Sequence, residues 1–251
     1  MTFSLPEARP VQISMVGIVV PARNEEERLP RCLTGLEAAI RQVRSAESDP
    51  PPIRIIVVVD GSTDRTYRIA SEWAGVEVLR SDAGRVGAAR AAGVRHLLAT
   101  GSAAGIPAGR TWIACTDADS VVPVDWLQTQ VLHARSGVEL LLGTVRPDPQ
   151  ELAAGVLAAY RLRHLITDGH PHVHGANLGV RADSYLAAGS FQDVVSHEDV
   201  LLSHAIRAAG GRVLSTGASP VLTSGRSHGR APEGMARYLR ELGEEPVPLE
   251  A

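Results

Sequence analysis

Residues 53–66 read IRIIVVVDGSTDRT. Ile53 to Val59 is an apolar, β-branched run broken only by Arg54. A run without alternation is buried on both faces, which places it inside a covered parallel sheet. Asp60-Gly61-Ser62-Thr63-Asp64 follows at once, polar and turn-forming. In open α/β sheets, ligands sit beyond the carboxyl ends of the strands. A strand that ends in these groups therefore points to binding as well as to fold.

The same unit repeats on either side. Met15 to Val20 predicts a buried strand, Pro21 to Asn24 a turn, and Glu25 to Arg44 a helix with Leu29, Leu33, Leu36, Ile40 and Val43 at helical spacing. Ser45 to Pro52 is a surface linker. Beyond the central run, helices are predicted over 64–73 and 86–99 and strands over 76–79 and 111–116. This succession of β-α units gives the fold class: α/β, a doubly wound, mostly parallel central sheet flanked by helices. The second half is less regular, with helices predicted over 124–135, 151–166, 199–209 and 233–242 and strands over 139–145, 177–180 and 212–214. Residues 1–225 are expected to form a single domain. Its halves are a nucleotide-binding part over about 14–120 and an acceptor part over about 121–225. Residues 226–251 would form a C-terminal arm and helix.

Composition excludes several classes. The chain has 251 residues and a net charge of −3, so no general basic field exists to hold nucleic acid. All 25 basic residues are Arg, which rules out Schiff-base chemistry and a Walker-type phosphate loop. Cys32 and Cys115 form neither a disulfide framework nor a zinc pattern. No apolar run reaches the roughly 18 residues of a membrane span, and the N-terminus lacks the pattern of a secretory signal. The expectation is a cytoplasmic protein.

Four strand ends supply polar groups: Arg23-Asn24-Glu25, Asp60 to Asp64, Arg80-Ser81-Asp82 and Asp117-Ala118-Asp119. Asp60 reads as a ligand group, Asp64 as the cap of its helix. Glu25 to Glu27 suit the positive end of theirs. Gly84 to Gly93 (GRVGAARAAG) reads two ways. Arg85 and Arg90 would meet phosphate, or a small-residue helix packs closely on the sheet with its Arg side chains exposed. Asp117 and Asp119 flank one small residue on a turn, an all-oxygen set suited to a hard divalent cation beside phosphate oxygens.

With these motifs in order, the sequence resembles the family 2 glycosyltransferases, which have the GT-A fold. The resemblance rests on VVPARNEEERLPRCL (19–33), IIVVVDGSTDRT (55–66), GRVGAARAAG (84–93), TDADS (116–120), GANLGVRADSYLAAGSF (175–191) and HEDVLLSHAIRAAGGRV (197–213). It implies a nucleoside-diphosphate-sugar donor, a hydroxyl acceptor, a Mn²⁺ or Mg²⁺ cofactor and inversion at the anomeric carbon. By the same resemblance Pro21, Ala22, Arg23 and Glu25 line the nucleoside pocket and Asp60 bonds the base. Arg90 lies where the family places a basic residue near the nucleotide. Asp117 contacts ribose or metal, its neighbour Ala118 lines the nucleotide-sugar site, and Asp119 binds the metal. Gly175 and Asn177 shape the sugar and acceptor cleft, Asp199 is the general base, and Glu198 is its partner. Ala91 stands where many members have Asn. No Q-x-x-R-W follows Glu198-Asp199, which argues against a processive synthase; the resemblance is to non-processive members of bacterial type.

His170, His172 and His174 alternate (HPHVH) and would face one side of an extended segment. They suggest either a zinc site or a polar cleft wall, and His174 and His197 are candidates for acceptor contact. In the arm, His228 resembles a metal or diphosphate ligand and Arg226 or Arg230 a group for the leaving diphosphate. Glu151 to Ile166 reads as core packing or as peripheral membrane contact. The Ser196–Asp199 stretch also fits a capping box. The rival functions are a sugar-phosphate nucleotidyltransferase, a zinc hydrolase on the histidines, and a non-catalytic nucleotide-sugar binder.

Overall fold

The structure is a computed structural model that describes residues 10–226, 229 and 234–244. Its centre is a seven-stranded sheet built from β1 (Met15–Ala22), β2 (Ile53–Asp60), β3 (Val76–Ser81), β4 (Thr111–Cys115), β5 (Leu140–Pro147), β6 (Leu178–Arg181) and β7 (Val213–Thr223). The order is β3-β2-β1-β4-β6-β5-β7. Neighbours in β3-β2-β1-β4 run parallel, β6 runs antiparallel to β4 and β5, and β5 and β7 are parallel. The sheet is mostly parallel, as expected, with one reversed strand.

Both faces are covered, which is why β1 and β2 are apolar without alternation. On one face Val16, Ile18, Val20, Ile55, Val57 and Val59 pack with α1 (Leu29–Ala46), α2 (Thr66–Glu72) and α4 (Trp126–Arg135). On the other, Met15, Val19, Ile56 and Val58 pack with α3 (Val86–Ala103), α6 (Ala182–Ala187) and α7 (Glu198–Ala208). A small third cluster joins Tyr160 of α5 (Ala154–Arg163) to Leu239 and Leu242 of α8 (Met235–Glu244).

The close packing of α3 is written in its glycines. A methyl on Gly93 would lie 2.6 Å from Val19 and 3.0 Å from Val58, and one on Gly17 would strike Leu97. The small-residue reading of 84–93 is right about packing and about Arg85, which is exposed, and wrong about Arg90, which is 3% exposed.

Several boundaries differ from expectation. α1 starts four residues late, with Pro30 in its first turn, because residues 24–26 are bonded to the loop after β2. β7 is much longer than 212–214. Its Gly217-Ala218-Ser219-Pro220 interrupts apolar patterning, but β7 is an edge strand and absorbs the irregularity as a register shift between Gly143 and Val145 of β5. α6 was not anticipated. Only the middle of 151–166 is helical, and Leu162 is 82% exposed, with Leu165 and Ile166 exposed as well. Core packing of that end is therefore overturned. Among the described residues, no helix is long and apolar enough to cross a membrane.

Candidate active site

The carboxyl ends of β1, β2 and β4 open into a cleft of about 600 Å³, a volume in the range of small-molecule sites. Its floor begins with two loops joined side by side. Asn24, at φ 50°, accepts the Thr63 N–H at 2.7 Å, the Glu25 N–H bonds Thr66 Oγ1 at 2.7 Å, and the Glu26 N–H bonds Asp64 Oδ2 at 3.1 Å. Asp64 also accepts the Thr66 N–H at 2.9 Å, so it acts structurally, one residue before the N-cap Arg65. The Glu25 carbonyl accepts the Leu29 N–H at 2.8 Å at the start of α1, but its side chain turns into the cleft. It is buried, and both its oxygens meet the guanidinium of Arg226.

Asp60 is 4% exposed, lines the cleft and accepts the Gly84 N–H at 3.2 Å. Pro21, Ala22, Arg23, Arg85 and Ala118 line the cleft too. Arg85 pairs with Asp193 at 2.6 Å, at the exposed rim.

Arg90 is the buried keystone of the cleft wall. Its Nη1 donates to Glu198 and its Nη2 to Asp117. Burial alone would favour losing its proton, but the charges of Asp117 and Glu198 outweigh that and hold it protonated. Two glycines make room for this. A methyl on Gly87 would lie 2.9 Å from Glu198 Cγ, and one on Gly175 would lie 2.5 Å from Arg90 Nη2. Arg90 thus joins α3 to the loop after β4 and to α7. With both terminal nitrogens engaged, it orients carboxylates instead of presenting a bare cation to phosphate.

Asp199 is held in turn, its Oδ2 accepting the Gly175 N–H at 2.7 Å and its Oδ1 the Val200 N–H at 2.8 Å. The capping box does not form. His197 takes the N-cap position at φ 68°, and the buried Ser196 Oγ has no partner among the described residues.

Asp119 carries a clear electrostatic signature. Burial, then the charge of Asp117, pushes its carboxyl up to about 6, against the pull of Arg226. Arg226 Nη2 lies 2.8 Å from Asp119 Oδ2. The donors here are carboxylate oxygens, and Asp119 already carries a cationic partner, so Asp117 and Asp119 fit a hard divalent cation. Among the described residues, no three His, Cys, Asp or Glu side chains converge as a full metal cage. The protein's share would be these two carboxylates, with nucleotide and water oxygens completing the shell. His228, the third expected ligand, and Arg230 lie outside the described residues.

His174, Gly175 and His197 line the cleft. Asn177 does not. It is 4% exposed, accepts from Trp126 Nε1 at 2.8 Å and donates to Thr144 O at 2.8 Å, a core role that replaces the expected cleft role. The alternating histidines do share one side, but as a stack. His170, His172 and His174 lie 5.8 and 5.9 Å apart in succession, and His164 stacks on His172 at 4.4 Å and on Tyr160 at 4.2 Å. Stacked rings do not converge their nitrogens, so the zinc-hydrolase reading has no site here. Burial, with the neighbouring imidazoles, pushes His174 down to about 3 and keeps it neutral. Sequence reading missed Met235 and Tyr238 of α8 as cleft walls; the strongly amphipathic pattern of 235–244 was the available signal.

A mostly parallel, doubly wound sheet with carboxylates gathered at its strand ends defines the GT-A class. The chain matches Glycosyl transferase family 2 over residues 17–185 and belongs to that family. It is 40% identical over 68 residues to the undecaprenyl-phosphate 4-deoxy-4-formamido-L-arabinose transferase of Pseudomonas fluorescens, a match covering 27% of this chain and 18% of that protein. Its fold is similar to S. aureus TarS 1–349 in complex with UDP-GlcNAc, with a TM-score of 0.62 and 14% identity over 91% of this chain and 64% of that one. It is also similar to the mannosyltransferase PcManGT of Pyrobaculum calidifontis in complex with GDP-Man and Mn²⁺, with a TM-score of 0.60 and 18% identity over 94% of this chain and 62% of that one. The chain therefore spans under two thirds of each of these relatives.

Proposed function

We propose that the protein is a metal-dependent, inverting, non-processive glycosyltransferase that moves a sugar from a nucleoside-diphosphate donor to an acceptor hydroxyl. The observation that carries this is the meeting of Asp60, Asp117, Asp119 and Asp199 in one cleft, from β2, the loop after β4 and α7. Family membership and the nucleotide sugars of the two structural relatives support it.

Asp60 and the Pro21-Ala22-Arg23 segment would hold the nucleoside, and Asp117 and Asp119 the Mn²⁺ or Mg²⁺. When bound, the cation supplies positive charge to the departing diphosphate. Asp199 would take the acceptor proton. The acceptor oxygen bonds C1 on one face, the C1–O bond to diphosphate breaks on the other, and the proton rests on Asp199. Its bonds to two backbone N–H groups fix the carboxylate and leave lone pairs for that proton. Glu198 and Arg90 would position the Asp117 and Asp199 walls. His174, Gly175 and His197 would border the sugar and acceptor.

The test is turnover of UDP-, GDP-, dTDP- and CDP-sugars with Mn²⁺ or Mg²⁺, the anomeric configuration of the product being read by NMR. Release of nucleoside diphosphate with an inverted product supports the reading. Donor binding without turnover on any acceptor favours a binding protein, and diphosphate release from a nucleoside triphosphate and sugar phosphate a nucleotidyltransferase.

The acceptor side fits a membrane surface. Exposed Leu162, Leu165 and Ile166 stand among exposed Arg161 and Arg163 beside cleft residue His164. Apolar side chains flanked by Arg suit an anionic bilayer.

A further inference from the structure

Arg226 sits where a cation is wanted. Its Nη2 lies 2.8 Å from Asp119 Oδ2 and 2.9 Å from Glu25 Oε1, and its Nη1 lies 3.2 Å from Glu25 Oε2. The Glu25 and Asp119 side chains are only 6% and 15% exposed, and Arg226 is 22% exposed. Asp117 is paired with Arg90; without Arg226, the neighbouring Glu25 and Asp119 carboxylates would repel each other in a poorly hydrated cleft.

The backbone beside Arg226 is pinned. Ser224 Oγ and the Gly225 N–H bond Glu151 at 2.7 and 2.9 Å. A methyl on Gly225 would lie 2.9 Å from Leu152 and 3.0 Å from Asp148 O. The guanidinium can therefore change partners by side-chain rotation from a fixed root.

From this geometry we infer that Arg226 is a stand-in cation that closes the Asp119 site until nucleotide arrives, so that the divalent ion enters with the nucleotide and not before it. This rests on the metal reading above. A divalent ion and Arg226 cannot share Asp119 Oδ2, because two cations would then lie within a few ångströms of each other. A diphosphate offers Arg226 a second anionic partner of suitable fork geometry. Moving Arg226 from carboxylate to phosphate frees Asp119 for the ion and supplies charge to the leaving group in one exchange.

The test is Mn²⁺ binding, read by electron paramagnetic resonance, with and without each of UDP, GDP, dTDP and CDP. Wild-type protein, Arg226→Gln and Arg226→Lys are compared, each checked for an intact thermal transition. The expectation is weak Mn²⁺ binding by wild type alone, strengthened by the matching nucleotide. Arg226→Gln should bind Mn²⁺ alone about tenfold more tightly than wild type, bind nucleotide less well, and show less strengthening by it. Arg226→Lys, charged but without the fork, should fall between. Equal or weaker Mn²⁺ binding by Arg226→Gln overturns the stand-in role and leaves the metal reading intact, as does wild-type binding equally tight without nucleotide. No Mn²⁺ uptake by any form, with every nucleotide present, overturns both.

Discussion

At the scale of single residues, the cleft separates carboxylates by what they touch. Asp60 faces it while accepting the Gly84 N–H, and Asp119 while bonded to Arg226 and Ser120 Oγ, whereas Asp64 is consumed by two loops. Asp119→Ala should abolish the stabilisation of the protein by nucleotide sugar and Mn²⁺, and EDTA should do the same to wild type, both read as loss of the thermal shift. Asp60→Ala should weaken nucleotide about five- to 150-fold, the loss expected when one side of a buried hydrogen bond is removed. Calorimetry gives that number, and an unchanged Kd would remove Asp60 from the nucleoside pocket. Asp199→Asn should keep donor affinity and lose at least about a hundredfold in transfer rate. Glu198→Gln should act differently, loosening Arg90 and with it Asp117, so its loss should appear in donor affinity as well.

At the scale of elements, the cleft depends on close approaches between α3, α7 and the 170–175 segment. Gly175→Ala places a carbon 2.5 Å from a guanidinium that two carboxylates hold in place. The neighbour cannot yield freely, so we expect destabilisation of about 1–3 kcal/mol by chemical denaturation together with weaker donor binding. The histidine stack gives a pH signature. His174 is pushed down to about 3 by burial and its neighbours, below the unfolded value of about 6.5. Below that value the unfolded chain binds the proton and the folded chain does not. The associated stability is present above about 6.5 and is lost as pH falls toward 3. Between pH 7 and 5, His174→Phe should lose less stability than wild type, by an amount on the order of 1–2 kcal/mol. Parallel pH profiles for the two proteins would contradict this.

At the scale of the whole molecule, the exposed end of α5 and the residues after it border the same cleft as the acceptor candidates. The protein should therefore cosediment with vesicles containing anionic phosphatidylglycerol more than with pure phosphatidylcholine vesicles, and high salt should weaken that binding. Leu162→Asp with Ile166→Asp should abolish it while leaving the thermal transition in place, because both side chains are exposed. Equal sedimentation with either vesicle, or none with both, would remove the bilayer as the partner of this face.

The sequence by itself determined the sheet and the polar strand ends that line its cleft. Strand runs such as Ile53–Asp60 are apolar because both sheet faces are covered, and a parallel strand's polar end is local in the chain, so periodicity and turn chemistry expose both. Asp60, Asp117 and Asp119 were legible for that reason. What only the tertiary structure decided are pairings across long separations. Arg90 meets Glu198 across 108 residues and Arg226 meets Glu25 across 201. No local pattern encodes such contacts, since each arginine looks like a surface charge until folding buries it against a carboxylate. Asn177 shows the converse: its motif suggests a cleft residue, and only the packing of Trp126, β5 and β7 around its amide turns it into a core strut. Burial and partner choice belong to the folded surface, and the chain alone carries only the groups available for them.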